Sequence, residues 1–438
     1  MIQAMRLLLA VVLLAGAGHA DVIRVPQDYL NIQVAVNNAS DGDTILIAAG
    51  DHLGPVDIND KALTLIADGG PARCPQIKVH DLSVGKTVLI RGLGADGKFF
   101  TQFGPNEEAL LLNDNAGQVR LEDATFLGSS GRNFWNPPGG FPPNHHPDGF
   151  DAAIVTDCAS VVFTRCTLKG GGGASVDNED TQSWAGRGGL GLLAARSDVS
   201  ATSCVLWGAV GGYIGDTLTY SGGDGGDGAH VSDGRYLIAD SVLHGANGGS
   251  ADCDFFSCGF GGSGGDGLEL GDFSSNPTEL WRHGNTYTHG TGGQDGDGQG
   301  FGADGFDVRT HPGAVDAVFP DPLRRFSVTT PLREGGVGSM QFDAEPGDSA
   351  FVWASVAPRW TPLPAYQGVF LIDNGPVFNT FVALGPTDAL GNLSVPFLAP
   401  SLGPFEAATF HLQGIVQDEG GQFLLGPTSG LVILDSSF

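Results

Sequence analysis

Between residues 119 and 290 the chain alternates apolar and other side chains in blocks that repeat. Aligning the segments DATFLG, RCTLKG, SCVLWG, DSVLHG and YTHG on Gly128, Gly170, Gly208, Gly245 and Gly290 gives spacings of 42, 38, 37 and 45 residues. Every second residue then falls into a ladder. Nine residues before the glycine stand Val119, Val161, Val199, Tyr236 and Trp281, and seven before stand Leu121, Phe163, Ala201, Ile238 and His283. Four before come Ala124, Cys166, Cys204, Ser241 and Thr286; two before, Phe126, Leu168, Leu206, Leu243 and Thr288. A period of two with mainly apolar residues in register marks strands whose inner faces stack coil on coil. The last block, with His283, Thr286 and Thr288 inward, reads as a terminal capping coil.

A second register precedes the first. Asp148-Gly-Phe, Leu190-Gly-Leu, Asp227-Gly-Ala, Asp266-Gly-Leu and Asp304-Gly-Phe recur at spacings of 42, 37, 39 and 38. They open short alternating strands such as Phe150-x-Ala152-x-Ile154 and Leu268-x-Leu270. A β-propeller blade takes ~40–45 residues and four strands. Two strands and a Gly-rich remainder per repeat suit a β-helix coil with an inserted loop better.

Upstream, residues 21–25 and 44–48 read as strands. Between them NIQVAVNNAS (31–40) places Ile32, Ala35, Val36 and Ala39 on one helix face, closed by Asp41-Gly42-Asp43 with Gly42 as the C-terminal cap. This strand, short amphipathic helix, Asp-Gly-Asp and strand resembles the N-terminal cap of secreted right-handed parallel β-helix proteins of the pectin-lyase-like superfamily. The resemblance implies a helix that plugs the open end of the stack. From residue 323 the pattern changes to alternating segments such as Phe370-x-Ile372, Leu393-x-Val395-x-Phe397 and Phe410-x-Leu412 between Gly/Pro turns, which predicts an antiparallel β-sandwich over 323–438. The expected fold is all-β: a right-handed parallel β-helix over 21–320 with an N-terminal capping helix, then the sandwich.

Composition narrows the function. Gly supplies 70 of 438 residues, roughly twice the usual share, without a collagen period, so it belongs to turns and tight stacking. The net charge of −28 excludes direct nucleic-acid binding, which needs Lys and Arg to release counterions. Residues 1–20 carry Arg6, an apolar run and Gly18-His19-Ala20, the signature of a signal peptide cleaved after Ala20. The chain is therefore expected to be secreted, with no membrane span.

Two constellations are candidates for chemistry. Residues 222–230 (GGDGGDGAH) and 261–269 (GGSGGDGLE), with 299–307 (QGFGADGFD) one Gly short, resemble the Ca²⁺-binding RTX nonapeptide. The resemblance implies Ca²⁺ ligands at Asp227, Asp266 and Asp304, although RTX repeats run in tandem and these recur every 38 or 39 residues. The alternative is a plain glycine turn kept soluble by Asp. The second constellation is the position before each anchor glycine, which points outward and forms a strip containing Lys169, Trp207, His244 and His289. Such a strip is either a platform for the apolar face of a sugar or an aromatic cover over the sheet. Asn144-His-His-Pro-Asp148 offers a third, weaker donor set for a metal. Cys166 and Cys204 stack as a buried thiol ladder or a bond, whereas Cys253 and Cys258 are placed for a disulfide.

None of the catalytic strings of the polygalacturonase-like hydrolases (Asn-Thr-Asp, Asp-Asp, Gly-His-Gly, Arg-Ile-Lys) occurs in the sequence. The leading expectation is a non-enzymatic module that binds an extracellular polysaccharide or cell-surface glycan. The alternative is a carbohydrate-active enzyme, a Ca²⁺-dependent polysaccharide lyase or a related pectin-lyase-fold enzyme.

Overall fold

The computed structural model describes residues 20–97, 108–131, 148–175, 184–215, 221–253, 258–272, 276–319, 324–355, 358–363, 366, 368–372 and 380–438. Residues 1–19, where the signal peptide is expected, and residues 144–147 of the Asn-His-His-Pro-Asp set lie outside the described residues.

A full coil of the first part has three strands, and the last, among the described residues, has two, Val308–Thr310 and Val315–Val318. In one coil they are Ala153–Thr156, Ser160–Thr164 and Thr167–Lys169. The first strands form an eight-stranded parallel sheet from Val56–Asn59 to Val308–Thr310. The second and third strands form two parallel ladders joined through the long strand Leu63–Cys74 into one 16-stranded sheet. The stack is a parallel β-helix. What the sequence shows as one strand before each anchor glycine is two, broken by a left-handed residue: Asp123 (φ 53°), Arg165 (φ 54°), Ser203 (φ 55°) and Asp240 (φ 48°). A second column of such bends, Asp114, Asp157, Arg196 and Asp233, separates first from second strands. Apart from Gly, Asn and Asp tolerate this conformation best, so aspartate-rich corners are expected of a chain that bends twice per coil.

The inward ladder holds through four blocks. Val119, Val161, Val199 and Tyr236 pair in register, as do Leu121, Phe163, Ala201 and Ile238, and Phe126, Leu168, Leu206 and Leu243. All belong to one buried core. In the fifth block the register is one residue earlier. Tyr236 pairs with Leu280 and Leu243 with Tyr287, so Leu280 and Tyr287 face the core while Trp281 turns outward. Aligning on Gly290 misplaced that block, because the residue that continues the Gly245 position is His289. The first-strand register also departs from Phe150-x-Ala152-x-Ile154: Ala153 and Val155 point inward and Ile154 outward.

The helix spans Ile32–Asn38, with the Asn31 side chain accepting from the Val34 amide, and buries Ile32, Ala35 and Val36 in the same core. It ends at Ala39 in extended backbone; Gly42 sits in the following turn at φ 97° and is not the helix cap. The disulfide joins Cys253 and Cys258, and Cys166 and Cys204 are buried free thiols.

In the C-terminal part a three-stranded sheet (Arg325–Val328, Val337–Asp343, Asn392–Leu398) and a five-stranded sheet containing Ser349–Ser355, Ala407–Gln417 and Phe423–Leu434 share one apolar core. It packs on the outer face of the second-strand ladder. Val22, Leu46, Ile66 and Leu89 meet Ala407, Val432 and Leu434, and Val162 and Leu237 meet Trp360, Val369 and Leu371. The Gly430 amide donates to Glu122 Oε1 (2.8 Å), a fully buried carboxylate that also meets Arg91 (3.1 Å) and Arg120 (3.3 Å).

His411, beside Gly430 in the register, is buried there, and burial reinforced by the Arg120 charge holds its imidazole well below the ordinary range. The folded state keeps this ring neutral where the unfolded chain takes up a proton, so stability falls as pH drops below the ordinary histidine value. The loss approaches about 1.4 kcal/mol per pH unit. His411→Gln is expected to flatten the acid limb of urea unfolding between about pH 6.5 and 5; an unchanged pH slope would show that the ring does not titrate on unfolding.

Candidate functional site

The outward lane of the third strands is set by alternation. Because Phe126, Leu168, Leu206 and Leu243 point inward, their neighbours Leu127, Lys169, Trp207 and His244 point out, and these pair coil to coil. Lys169 Nζ lies 5.4 Å from the Trp207 ring centroid, and the Trp207 and His244 rings meet edge to face at 5.6 Å. His244 Nδ1 is 2.7 Å from Thr288 Oγ1. Trp207 remains 38% exposed, so the indole is a surface and not a covered plug. The structure brings three of the four strip residues together and leaves out His289, whose place is taken by Thr288. The same one-residue slip that moves Trp281 outward moves His289 off the lane, and its Nδ1 instead lies 2.8 Å from Asp307.

The described parts of the Gly-rich segments that join third to first strands are not loops. They form two facing layers of extended chain, and their contacts repeat every three residues. A Cβ on Gly222 or Gly225 would strike the facing layer at Gly249 O or Ala246 O, whereas one on Gly223 or Gly226 would strike the preceding coil at Gly186 O or Gly189 O. Three residues per turn is the polyproline II helix, in which Gly-Gly-x turns two bare edges to its neighbours. Amides follow the same period. Gly264 N donates to Ala303 O on the next coil, Gly265 N to Ala246 O across the layers, and Asp266 N to Asp227 Oδ1 on the preceding coil.

The aspartates of the Gly-Gly-x-Gly-x-Asp pattern thus cap backbone donors that have no carbonyl to meet. Asp151, Asp227 and Asp266 accept from the amides of Leu190, Asp266 and Phe306 at 2.7, 2.6 and 2.7 Å. Asp227 and Asp266 are neighbours, as expected, but Asp304 is not in their column. Leu268 pairs with Val308, so Phe306 follows Asp266, and Asp304 accepts from the Gly292 amide at 2.8 Å. At the other end of the column the residue is Asp151, one polyproline turn after Asp148. The sequence register slips by three residues at one end, Asp148 for Asp151, and by two at the other, Asp304 for Phe306, because a Gly- and Asp-rich repeat shifted by a few residues keeps nearly the same letters.

Beside this column, on the outer face of the first-strand sheet, lie residues the sequence reading passed over. His230 and Glu269 pair across adjacent strands, with Nδ1 and Oε2 3.0 Å apart, and His311 Nε2 is 2.7 Å from Glu269 Oε1. Burial opposes the Glu269 charge, but hydrogen bonds from His230 and His311 outweigh it and hold the carboxyl down at about 2. Burial, with the charges of Glu269 and Asp266 adding to it, pushes Asp227 up to about 7 against the opposing Asp266 amide. Asp266 is paired with Arg309 at 2.7 Å. Stacking the second register would have set His230 beside Glu269, since both stand three residues after their aspartates; His311 was hidden by the slip in the last coil.

An open groove of about 550 Å³ beside the corners is lined by Asp157, Arg196, Asp198, Asp233, Arg235 and Glu279. Its arginines are engaged, Arg196 with Asp157 at 2.7 Å and Arg235 with Asp198.

Fold and surface together define a parallel β-helix with a solvent-facing aromatic and cationic lane. No protein-family model matches the sequence, and no curated protein matches it. Among solved structures, a mutant of a PL6-family alginate lyase is similar at 14% identity over 69% of this chain, with a TM-score of 0.26. This chain spans 40% of that one's length. The receptor-binding domain of the siphovirus 9NA tailspike is similar at 9% identity over 93% of this chain and 98% of that one, with a TM-score of 0.16. Superpositions this loose carry no argument, and the architecture rests on the strand ladders themselves.

Proposed function

We propose that this chain is a secreted, non-enzymatic module that binds extracellular polysaccharide along the third-strand lane. The observation that supports the reading is the contiguous row Lys169, Trp207, His244 and Thr288, in which an exposed indole is flanked by hydrogen-bonding groups. An indole face packs on the apolar face of a pyranose, and the flanking ammonium, imidazole and hydroxyl address its hydroxyls. The net charge of −28 favours a neutral glycan over a polyanion.

Affinity electrophoresis against neutral and acidic polysaccharides tests it. Trp207→Ala is expected to weaken retention by about 1–3 kcal/mol with the melting temperature nearly unchanged, because the change removes a platform and not core. Unchanged retention, or a loss of stability in its place, would remove the lane as the binding surface. New reducing or unsaturated ends after incubation with the same panel would place the chain among carbohydrate-active enzymes.

A further inference from the structure

We propose that Asp227, His230 and Glu269 form a binding site for a divalent transition ion of the zinc type. Strands Ala229–Ser232 and Leu268–Leu270 lie side by side in parallel register, so His230 and Glu269 are neighbours on one outward face. Asp227 reaches the same point from the end of the glycine segment, three residues earlier. One ligand atom from each of the three residues lies within 4.8 Å of the others. Around a tetrahedral ion with bonds of about 2.0–2.1 Å, donors stand roughly 3.3 Å apart. The His230–Glu269 pair is already near that separation at 3.0 Å, and a small inward movement of Asp227 completes the set.

Two of the three ligands are also oriented from behind. Asp227 Oδ1 is held by the Asp266 amide at 2.6 Å, which leaves Oδ2 for the ion. Glu269 Oε1 meets His311 Nε2 at 2.7 Å, which leaves Oε2, the oxygen facing His230. Partners that fix the far side of a ligand are the usual accompaniment of a metal site. Two carboxylates and an imidazole neutralise a dication, and the imidazole selects zinc-like ions over calcium and magnesium, which prefer oxygen alone. This site therefore takes the place of the calcium column, of whose three aspartates only Asp227 lies here. His230 and Glu269 side chains are 25% and 18% exposed, so an ion has a path in, and three protein ligands leave a fourth position for water or an incoming oxygen. Binding displaces the proton that His230 shares with Glu269 in the free protein.

The site lies on the first-strand sheet and shares no residue with the Trp207 lane, so either reading can fail without the other. The test uses the full chain with any affinity tag removed, dialysed against chelator. Titration calorimetry with ZnCl₂ is expected to show one ion per chain, and CaCl₂ at the same concentration none. Co²⁺ is expected to give the visible absorption of a tetrahedral complex. His230→Ala is expected to weaken zinc binding at least 100-fold and Glu269→Gln 10- to 100-fold, on the order found for disrupted metal shells. Circular dichroism should show both variants folded, since neither side chain is core. Absence of zinc binding or of the cobalt spectrum in the unmodified chain overturns the proposal, as does zinc affinity unchanged in folded His230→Ala or calcium binding as tight as zinc.

Discussion

Gly226→Ala is expected to destabilise the glycine layers by at least about 3 kcal/mol, the upper end of overpacking costs plus the hydrogen bond that is lost. A Cβ at Gly226 would lie 2.1 Å from Gly189 O and 2.8 Å from Gly188 O. Both are backbone atoms of the preceding coil, which cannot rotate away as a side chain does. Moving that coil pulls Gly189 N from Gly171 O and Gly226 N from Ala209 O, each 2.8 Å in the native stack. A solenoid contacts only its neighbours, so the damage spreads coil to coil rather than through a global core. Hydrogen exchange should therefore accelerate at residues 188–189 and 209 before the strands open. Gly172→Ala is the control. Its added Cβ would meet nothing closer than 3.8 Å, and its stability should stay within about 0.5 kcal/mol of the parent. Equal melting temperatures for the two variants would show that the layers are looser than described.

Leu206→Asp is expected to abolish the folded state outright. Leu206 has no exposed surface and sits between Leu168 and Leu243 on the adjacent coils, ~4.8 Å away on either side. A carboxyl there finds no partner among aliphatic neighbours, and whether it stays charged or takes up a proton, its desolvation adds to the lost leucine burial and packing, together a large share of the ~5–15 kcal/mol that a whole domain has to spare. The outward residue Val242 is 40% exposed, and Val242→Asp should fold and melt normally. Wild-type yield and melting temperature for Leu206→Asp would reject the inward assignment of the third strand.

Much of this fold is legible in the sequence, because a period of two repeated at coil length has few other physical readings. The inward residues Val161, Phe163, Leu168 and Leu206 follow from that alone. Legibility ends where the marker used for alignment is itself mobile in sequence. Gly290 lies one residue beyond the position that continues Gly245, and that single step exchanges Trp281 for Leu280 at the core and His289 for Thr288 on the lane. The third strand per coil was missed for a different reason. Arg165 and Ser203 adopt a left-handed turn without Gly, Asn or Asp to announce it. The glycine segments misled most directly, since a repeat that supplies carboxylates to a cation and one that supplies carboxylates to stacked amides are written in the same letters. His230 and Glu269, 39 residues apart, become neighbours only once the coils are set in register.

The paired glycine layers also give this protein an unusual thermal character. Unfolding hydrocarbon raises heat capacity by about 0.45 cal/K/mol per Å², whereas exposing peptide groups lowers it by about 0.26. The β-helix interior and the C-terminal sheets unfold in the first way, but the layers bury mainly amides and α-carbons, with one small apolar cluster of Ala185, Ile214 and Ala251. Their free energy therefore changes little in curvature with temperature, and cooling, which weakens the apolar interior, leaves the amide lattice holding. Glycine's large entropy on unfolding works in the same direction, since that opposing contribution shrinks as temperature falls. Near freezing, the segments without side chains become the firmer part of the molecule relative to its oily core.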